Sequence, residues 1–384
     1  MLAGTNVALG VSGSIAAVKT VELAHELRRQ GAEVRAVMTD AARGIIHPWS
    51  LEFATENPVV TEITGSVEHV ELCGYDGWAD VLLLAPSTAN TIGKVAAAVD
   101  DTPVTTTATT ALGADVPVVV APAMHEPMYD HPGVLEAIER LESWDVAFVE
   151  PRIEEGKAKI ATEGAMVLDV ARAVGIRPLA GKRVVVTSGA TTEAVDPVRV
   201  LSNRASGRTG RAVAKACYVR GADVTLVHDG AAVPYADTIA VESATEMLDA
   251  VRSAVEDGAD ALVSAAAIGD YTVDTAAEKI RSGRELTLDL EPTPKLIDTI
   301  RTEHPELPIV GFKLETSGDD AMIEQARKTL DRAELTFVVA NDASVMGSDR
   351  TRVLFVSADD VAEHEGDKEA IGERIADALA DELA

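Results

Sequence analysis

The sequence is poor in cysteine, in positive charge and in long apolar runs. Cys73 and Cys217 are its two cysteines in 384 residues, which excludes a disulfide framework or a cysteine-rich metal site and fits a reducing compartment. No apolar stretch reaches the roughly 18 residues that a membrane-spanning helix needs, so no membrane association is expected. The N-terminus lacks the basic segment of a secretory leader, and a cytoplasmic protein is expected. Lys+Arg number 34 against 63 Asp+Glu, a net charge of −29. That balance opposes the cationic patches on which nucleic-acid binding depends.

The acid is spread out, in pairs such as Asp100-Asp101, Glu154-Glu155 and Asp359-Asp360. Diffuse acidity in a lysine-poor chain implies a surface adapted to high salt, where self-repulsion is screened, as in a halophilic archaeon. Hydrophobic residues make up 47% of the chain. A single core rarely serves more than about 250 residues, so two or three domains are expected.

The chain opens the same way twice. Residues 2–16 read LAGTNVALGVSGSIA and residues 179–193 read LAGKRVVVTSGATTE: a lead-in, an apolar strand, then a Ser-Gly turn. In the first half, strands are predicted at Val7–Val11, Glu33–Met38, Val81–Ala85, Val116–Ala121 and Val146–Val149. Helices are predicted at Ile15–Arg28, Thr88–Val99, Pro103–Leu112 and His131–Leu141. In the second half, strands are predicted at Arg183–Thr187, Asp223–Val227, Ala261–Ser264, Ile309–Phe312 and Thr336–Ala340. Its helices are expected at Arg208–Arg220, Thr245–Val255, Ala321–Arg332 and Glu369–Leu383, with extra β-like runs at Arg284–Leu290 and Arg352–Val356. Continuous apolar strands alternating with helices indicate two α/β domains, each a doubly wound, mostly parallel sheet. The boundary falls near Gly175–Pro178, giving domains 1–177 and 178–384.

Ligands of open α/β sheets bind beyond the carboxyl ends of the strands. In the first half three such ends converge: Gly13-Ser14 after strand one, Thr39 after strand two, and Ser87-Thr88-Ala89-Asn90 after strand three. Small residues at a helix N-terminus admit an anion, and a flat mononucleotide fits the crevice. Each turn taken alone is equally a plain βα connection. It has neither GxGxxG spacing nor the GKS/GKT ending of a P-loop. In the second half Ser206-Gly207 before a helix presents amides in the same way, or is simply an N-cap. A dinucleotide-dependent oxidoreductase is disfavoured by the loop spacing.

GVSGSIAAVKT, LAPSTANTIGKVAAAVDD and APAMHEPMY resemble the flavin-dependent phosphopantothenoylcysteine decarboxylases, with a flavodoxin-like fold. SGATTEAVDPVRVLSNRASG, SAAAIGDY, EKI and GFKLET resemble the phosphopantothenate–cysteine ligases, with a Rossmann-like fold. The order is that of the bifunctional coenzyme A biosynthesis family, and the likeness covers nearly the whole chain. It implies FMN bound by Gly13, Ser14, Thr39, Ser87, Thr88 and Asn90, with His69 as the base of an oxidative decarboxylation to 4′-phosphopantetheine. Met124, His125 and Met128 fall on the substrate motif, with His125 where the family usually has Asn. The family's flap cysteine is missing from Glu154–Ala161; Lys157 or Lys159 is left for its part, Lys159 being the one singled out, or both are plain surface lysines.

For the second half the resemblance implies CTP as co-substrate, Mg²⁺, and 4′-phosphopantothenate and cysteine as substrates joined through an acyl-cytidylate. Asn203 matches the residue that holds this intermediate, and Lys279 matches the lysine of a mobile segment, here the aperiodic 270–286 stretch. Ser264, Ala265, Ala266, Asp270, Pro294 and Phe312 match substrate- and nucleotide-binding positions. Two lysines that face the triphosphate in the family align with Thr329 and Ala333. The adjacent Lys328 and Arg332 are rotated away, because a helix turns about 100° per residue. The family also implies a homo-oligomer. The rival from another class is a non-catalytic, flavin-binding regulatory subunit of the same fold.

Overall fold

A computed structural model describes residues 1–154, 157–283, 285–315, 318–342 and 350–384. The chain forms two compact units, Met1–Gly175 and Ile176–Ala384.

In the first unit a five-stranded parallel sheet runs in the order Glu33–Met38, Asn6–Val11, Val81–Ser87, Val118–Pro122, Ala147–Phe148. Numbered along the chain this is 2-1-3-4-5, the flavodoxin-like order, which puts a crevice where the order reverses. Strand Val81–Ser87 is buried at every position, as an apolar run covered on both faces must be. The helix expected over Ile15–Arg28 divides into a 3₁₀ turn, Ile15–Lys19, and an α-helix, Thr20–Arg29. Helix Pro103–Gly113 begins with a capping box between Thr102 and Thr105. It lays Val104, Ala108 and Ala111 against Leu82, Leu84 and Val120.

In the second unit the sheet has eight strands among the described residues: Asp237–Ala240, Asp223–His228, Arg183–Thr187, Ala261–Ser264, Ile309–Glu315, Phe337–Asp342, Arg350–Val356 and Val361–Asp367, in spatial order. The first six are parallel and read 3-2-1-4-5-6, the Rossmann order. The last two are antiparallel. One face carries helices Arg208–Val219 and Lys368–Glu382, whose Val213, Cys217, Ile371, Ile375 and Leu379 share a core. The other carries Ala244–Glu256, Leu296–Glu303 and Asp319–Ala333. Gly372 makes the first pair possible. A Cβ there would lie 2.6 Å from the Ala212 backbone, so the final helix rests directly on its neighbour. Arg220 and Asp377 join the same two helices at 2.7 Å. The β-like run expected at Arg284–Leu290 is not a strand over Glu285–Asp289; Leu290–Pro292 alone pairs, with Tyr271–Val273.

Candidate functional site

The carboxyl ends of the first sheet are stitched into one surface. Thr39 N–H donates to the Val11 carbonyl at 3.1 Å, Ser12 Oγ to the Pro86 carbonyl at 2.7 Å, and Ala123 N–H to the Ser87 carbonyl at 2.9 Å. The parallel register makes these turns neighbours, so the sequence-expected Gly13, Ser14, Thr39, Ser87 and Thr88 come together. Ser14, Thr39 and Thr88 each cap a helical turn, accepting from Ala16, Ala42 and Thr91 amides. Gly13 packs where a Cβ would meet Ala41 Cβ at 2.4 Å, so no larger residue fits that turn. Ser87 Oγ is fully buried and has no hydrogen-bond partner among the described residues. Such a hydroxyl is costly unless something completes it. Asn90 is exposed on the first turn of its helix.

His69 lies on a short helix, Glu68–Cys73, that sequence periodicity did not disclose. Its Nδ1 is buried without a partner, and among the described residues no hydrogen bond ties it to the strand-end turns. Cys73, one turn on, is buried, and burial pushes its thiol up to about 12. It is a small core residue, far from a reactive thiolate.

The substrate motif and the flap meet. Met124–His125 pairs antiparallel with Lys157–Lys159, Met124 opposite Ala158 and His125 opposite Lys157, and Arg152–Glu154 extends the ribbon. Ala158 is fully buried and Lys159 partly so. Met128 and His125 are exposed. Glu155, Gly156 and the Lys157 side chain lie outside the described residues.

In the second unit a cleft of about 230 Å³ opens at the strand ends. The sequence-expected Ala265, Ala266 and Phe312 line it, and Ser206–Gly210 form one wall. Ser264 is buried beneath. Gly207 has a left-handed φ of 69° as the cap of helix Arg208–Val219, and its carbonyl accepts from Ser188 Oγ at 2.7 Å. Asn203, next to the wall, donates from Nδ2 to the Ala267 carbonyl at 3.0 Å. Its side-chain oxygen and second N–H remain for a ligand. Asp270, Pro294 and Lys279 are exposed and outside the lining, and Asp270 is ion-paired with Lys295.

Three cations line this cleft: Arg204, Arg208 and Lys368. Lys368 was missed from sequence. It sits at the first position of helix Lys368–Glu382, where the helix dipole disfavours a positive charge, and that misfit was the available signal. Burial, and then Arg208, hold its ammonium below the ordinary lysine value. Lys328 pairs with Glu324 at 2.6 Å and Arg332 with Asp298, so neither faces the cleft; Ala333 is in the core. No group of three or more His, Cys, Asp or Glu among the described residues is arranged to hold a metal ion.

Residues 1–175 match the Flavoprotein family, and residues 179–383 match the DNA/pantothenate metabolism flavoprotein C-terminal domain. The coenzyme A biosynthesis bifunctional protein CoaBC of Thermococcus kodakarensis is 49% identical over 364 residues, which cover 93% of this chain and 90% of that protein. Its counterpart from Methanocaldococcus jannaschii is 35% identical over 382 residues, 98% of this chain and 93% of that protein. A crystal structure of the C-terminal domain of a coenzyme A biosynthesis bifunctional protein aligns at 29% identity and a TM-score of 0.46, over 54% of this chain and 98% of that one. Two family domains in tandem and agreement along the full length place the chain in the family of bifunctional coenzyme A biosynthesis proteins.

Proposed function

We propose that the two units, taken as domains meeting near residues 175–178, carry out successive steps. The second joins 4′-phosphopantothenate to cysteine, and the first decarboxylates the product, 4′-phosphopantothenoylcysteine, to 4′-phosphopantetheine. The observation that carries this reading is a pair of separate strand-end sites in one chain, one built from hydroxyls and the other from cations.

In the second unit the substrate carboxylate attacks the α-phosphorus of CTP and pyrophosphate leaves. The cysteine amine then attacks the acyl carbon of the acyl-cytidylate, CMP leaves and the nitrogen loses a proton. Arg204, Arg208, Lys368 and the amides at Ser206–Gly210 supply positive potential for the phosphates. Asn203 offers an acceptor and a donor to the mixed anhydride, and Lys279 approaches from the 270–286 stretch. Phe312, Ala265 and Ala266 give an apolar wall for the base, while Asp270, on release from Lys295, and Pro294 lie along the ligand's path. Among the described residues no carboxylate cage is formed, so Mg²⁺ would come with the nucleotide and would supply charge neutralisation at its phosphates.

In the first unit the buried, unpartnered Ser87 hydroxyl, with Ser14, Thr39 and Thr88 at helical N-termini, fits the phosphate and polar edge of FMN; Gly13 and Asn90 border them. FMN, when bound, supplies the two-electron redox chemistry. The chain's own part is to place His69 as base, its buried Nδ1 without a partner among the described residues. Met124, His125 and Met128 hold the substrate, His125 at its carboxylate. Lys159, on the ribbon paired with Met124–His125, would serve as the proton donor.

Exposed apolar side chains support a homo-oligomer. Ile15, Val18, Trp49 and Phe53 are each more than half exposed on the first unit, and large apolar side chains of this kind are what a subunit contact would cover. No helix of the described chain is long and apolar enough to cross a membrane, consistent with a cytoplasmic enzyme. The 49% identity to a bifunctional protein across both units disfavours a non-catalytic flavin-binding subunit. Purification in high salt provides the test. A yellow protein that releases pyrophosphate only with CTP and 4′-phosphopantothenate together is expected. A colourless protein removes the first assignment, and release without the acid removes the second.

A further inference from the structure

The hairpin Thr192–Ala194/Val200–Ser202 leads directly into Asn203, and the segment carrying Lys279 is laid along its other side. Glu193, buried, accepts from Thr272 Oγ1 at 2.9 Å. The Ala194 carbonyl accepts from Thr275 Oγ1 at 2.8 Å, and the Val195 carbonyl from Ala276 N–H at 3.0 Å. The tightest fastening is next to Lys279 itself. Asp196 is 2% exposed, and its carboxylate accepts from the amides of Val198 and Arg199, each at 2.8 Å, and of Ile280 at 3.0 Å. Arg199 closes the ring, binding Asp196 through its guanidinium while donating to the Ile280 carbonyl at 3.0 Å. Both polar backbone groups of Ile280 are thus held by one ion pair whose carboxylate is buried, while the Lys279 side chain is exposed.

A buried carboxylate is tolerated only when its acceptors are filled. Here one of its donors comes from a residue 84 positions away. Desolvation opposes the charge, but the amides of Ile280, Val198 and Arg199 and the Arg199 guanidinium outweigh it and hold the carboxyl down to about 2. The clamp is therefore charged at every working pH. Release of Ile280 would leave a buried acceptor short of a partner, which costs more than the loss of a surface hydrogen bond. The segment thus has a defined resting position, set from the same hairpin that sets Asn203.

We propose that Asp196, acting with Arg199 through the Ile280 backbone, is the positioning residue that registers Lys279 with Asn203 for ligation. The inference rests on the assignment of Lys279 to that reaction. The test uses the full-length protein and measures pyrophosphate release, with decarboxylation as internal control. Asp196→Asn keeps the shape and loses the charge, and Arg199→Lys keeps a charge but loses the fork that reaches Ile280. Each is expected to lower kcat for ligation about 10-fold or more, leave KM for CTP within about threefold, and speed amide exchange at residues 275–281. Asp196→Asn combined with Lys279→Ala is expected to be no slower than Lys279→Ala alone, because both act through one group. If Lys279→Ala is inactive while both clamp variants retain the full rate, the clamp is refuted. Multiplicative losses in the double variant, or global loosening of the second unit, refute it as well. If Lys279→Ala is itself fully active, it is the assignment of Lys279 that fails.

Discussion

The two units end their parallel strands in similar turns but equip them differently. In the first, the turns at Gly10–Ser14, Thr39–Asp40 and Ser87–Asn90 contain neither lysine nor arginine, and the donors are hydroxyls and helical N-termini. In the second, the corresponding edge carries Arg204, Arg208 and Lys368. Under the proposed reactions, the difference follows the charge that must be handled. A phosphate monoester that stays bound gains enough from oriented amides and hydroxyls. A departing pyrophosphate develops charge during the reaction, and fixed cations in a partly desolvated cleft stabilise it best at that moment. In a chain of net charge −29, three cations on one edge are a costly concentration that solvation alone does not explain.

The largest expected effect is a crossed loss. Lys279→Ala is expected to slow CTP-dependent ligation at least roughly 100-fold, and His69→Asn to slow decarboxylation roughly 100- to 10,000-fold. Each variant is expected to leave the other activity within about twofold when the two are assayed with separately supplied substrates. A single substitution that removed both activities would break the division of labour between the edges.

The sheets were legible in the sequence because parallel strands are buried on both faces and read as unbroken apolar runs. Glu33–Met38, Arg183–Thr187 and Ala261–Ser264 have the limits their patterns predict. The two edge strands of the second sheet were not. Asp237–Ala240 and Val361–Asp367 are largely half-buried or exposed, so nothing in VAEHEGD distinguishes a strand from a surface loop. The pairing of Met124–His125 with the flap was hidden for another reason: two- and three-residue strands are too short to show a period. At the sites, the turns were legible from their small residues, but Lys368 is contributed by the last helix, more than 150 residues along the chain from Ser206. The packing of its helix on helix Arg208–Val219, closest where Gly372 meets Ala212, brings it to the cleft.

Lys368 sharpens the comparison most directly. A charge-assisted phosphate contact contributes about 1.5–3 kcal/mol, so Lys368→Met is expected to raise KM for CTP roughly 10- to 100-fold and leave flavin content unchanged. The pH dependence has a definite sign. Burial and Arg208 lower the free-state pKa, whereas an anion in the cleft favours the protonated form and raises it. Affinity for CTP is then constant near neutrality and falls as pH climbs through that lowered value, before an ordinary lysine would titrate; in Lys368→Met this alkaline limb is expected to vanish. Without ligand the linkage runs the other way. The depressed pKa makes this group's contribution to stability rise with pH between its folded value and about 10.5. Gly372→Ala tests the same arrangement from behind. Its added methyl has no room against Ala212, and overpacking of this kind costs about 1–3 kcal/mol. A lower Tm and a weaker CTP interaction are expected together.

The smallest expected effect decides which cations count. Lys328 and Arg332 are close in sequence to the aligned positions Thr329 and Ala333, and sequence proximity alone would assign them to the nucleotide. In the structure each is committed to an acidic neighbour, Glu324 or Asp298, on exposed faces where such pairs contribute about 0–1 kcal/mol. Removing a cation from a molecule this acidic slightly weakens the attraction of any anion, but at physiological ionic strength charges more than about 8 Å apart are largely screened. Lys328→Ala and Arg332→Ala are therefore expected to leave KM for CTP within about twofold and to shift stability by less than about 1 kcal/mol. A tenfold rise in KM for either, with Lys368→Met unaffected, would move the nucleotide's phosphates from the last helix to helix Asp319–Ala333. The cationic edge would then have to be reassigned to the other substrate, whose single phosphate is no more demanding than the one proposed for the first unit's hydroxyls.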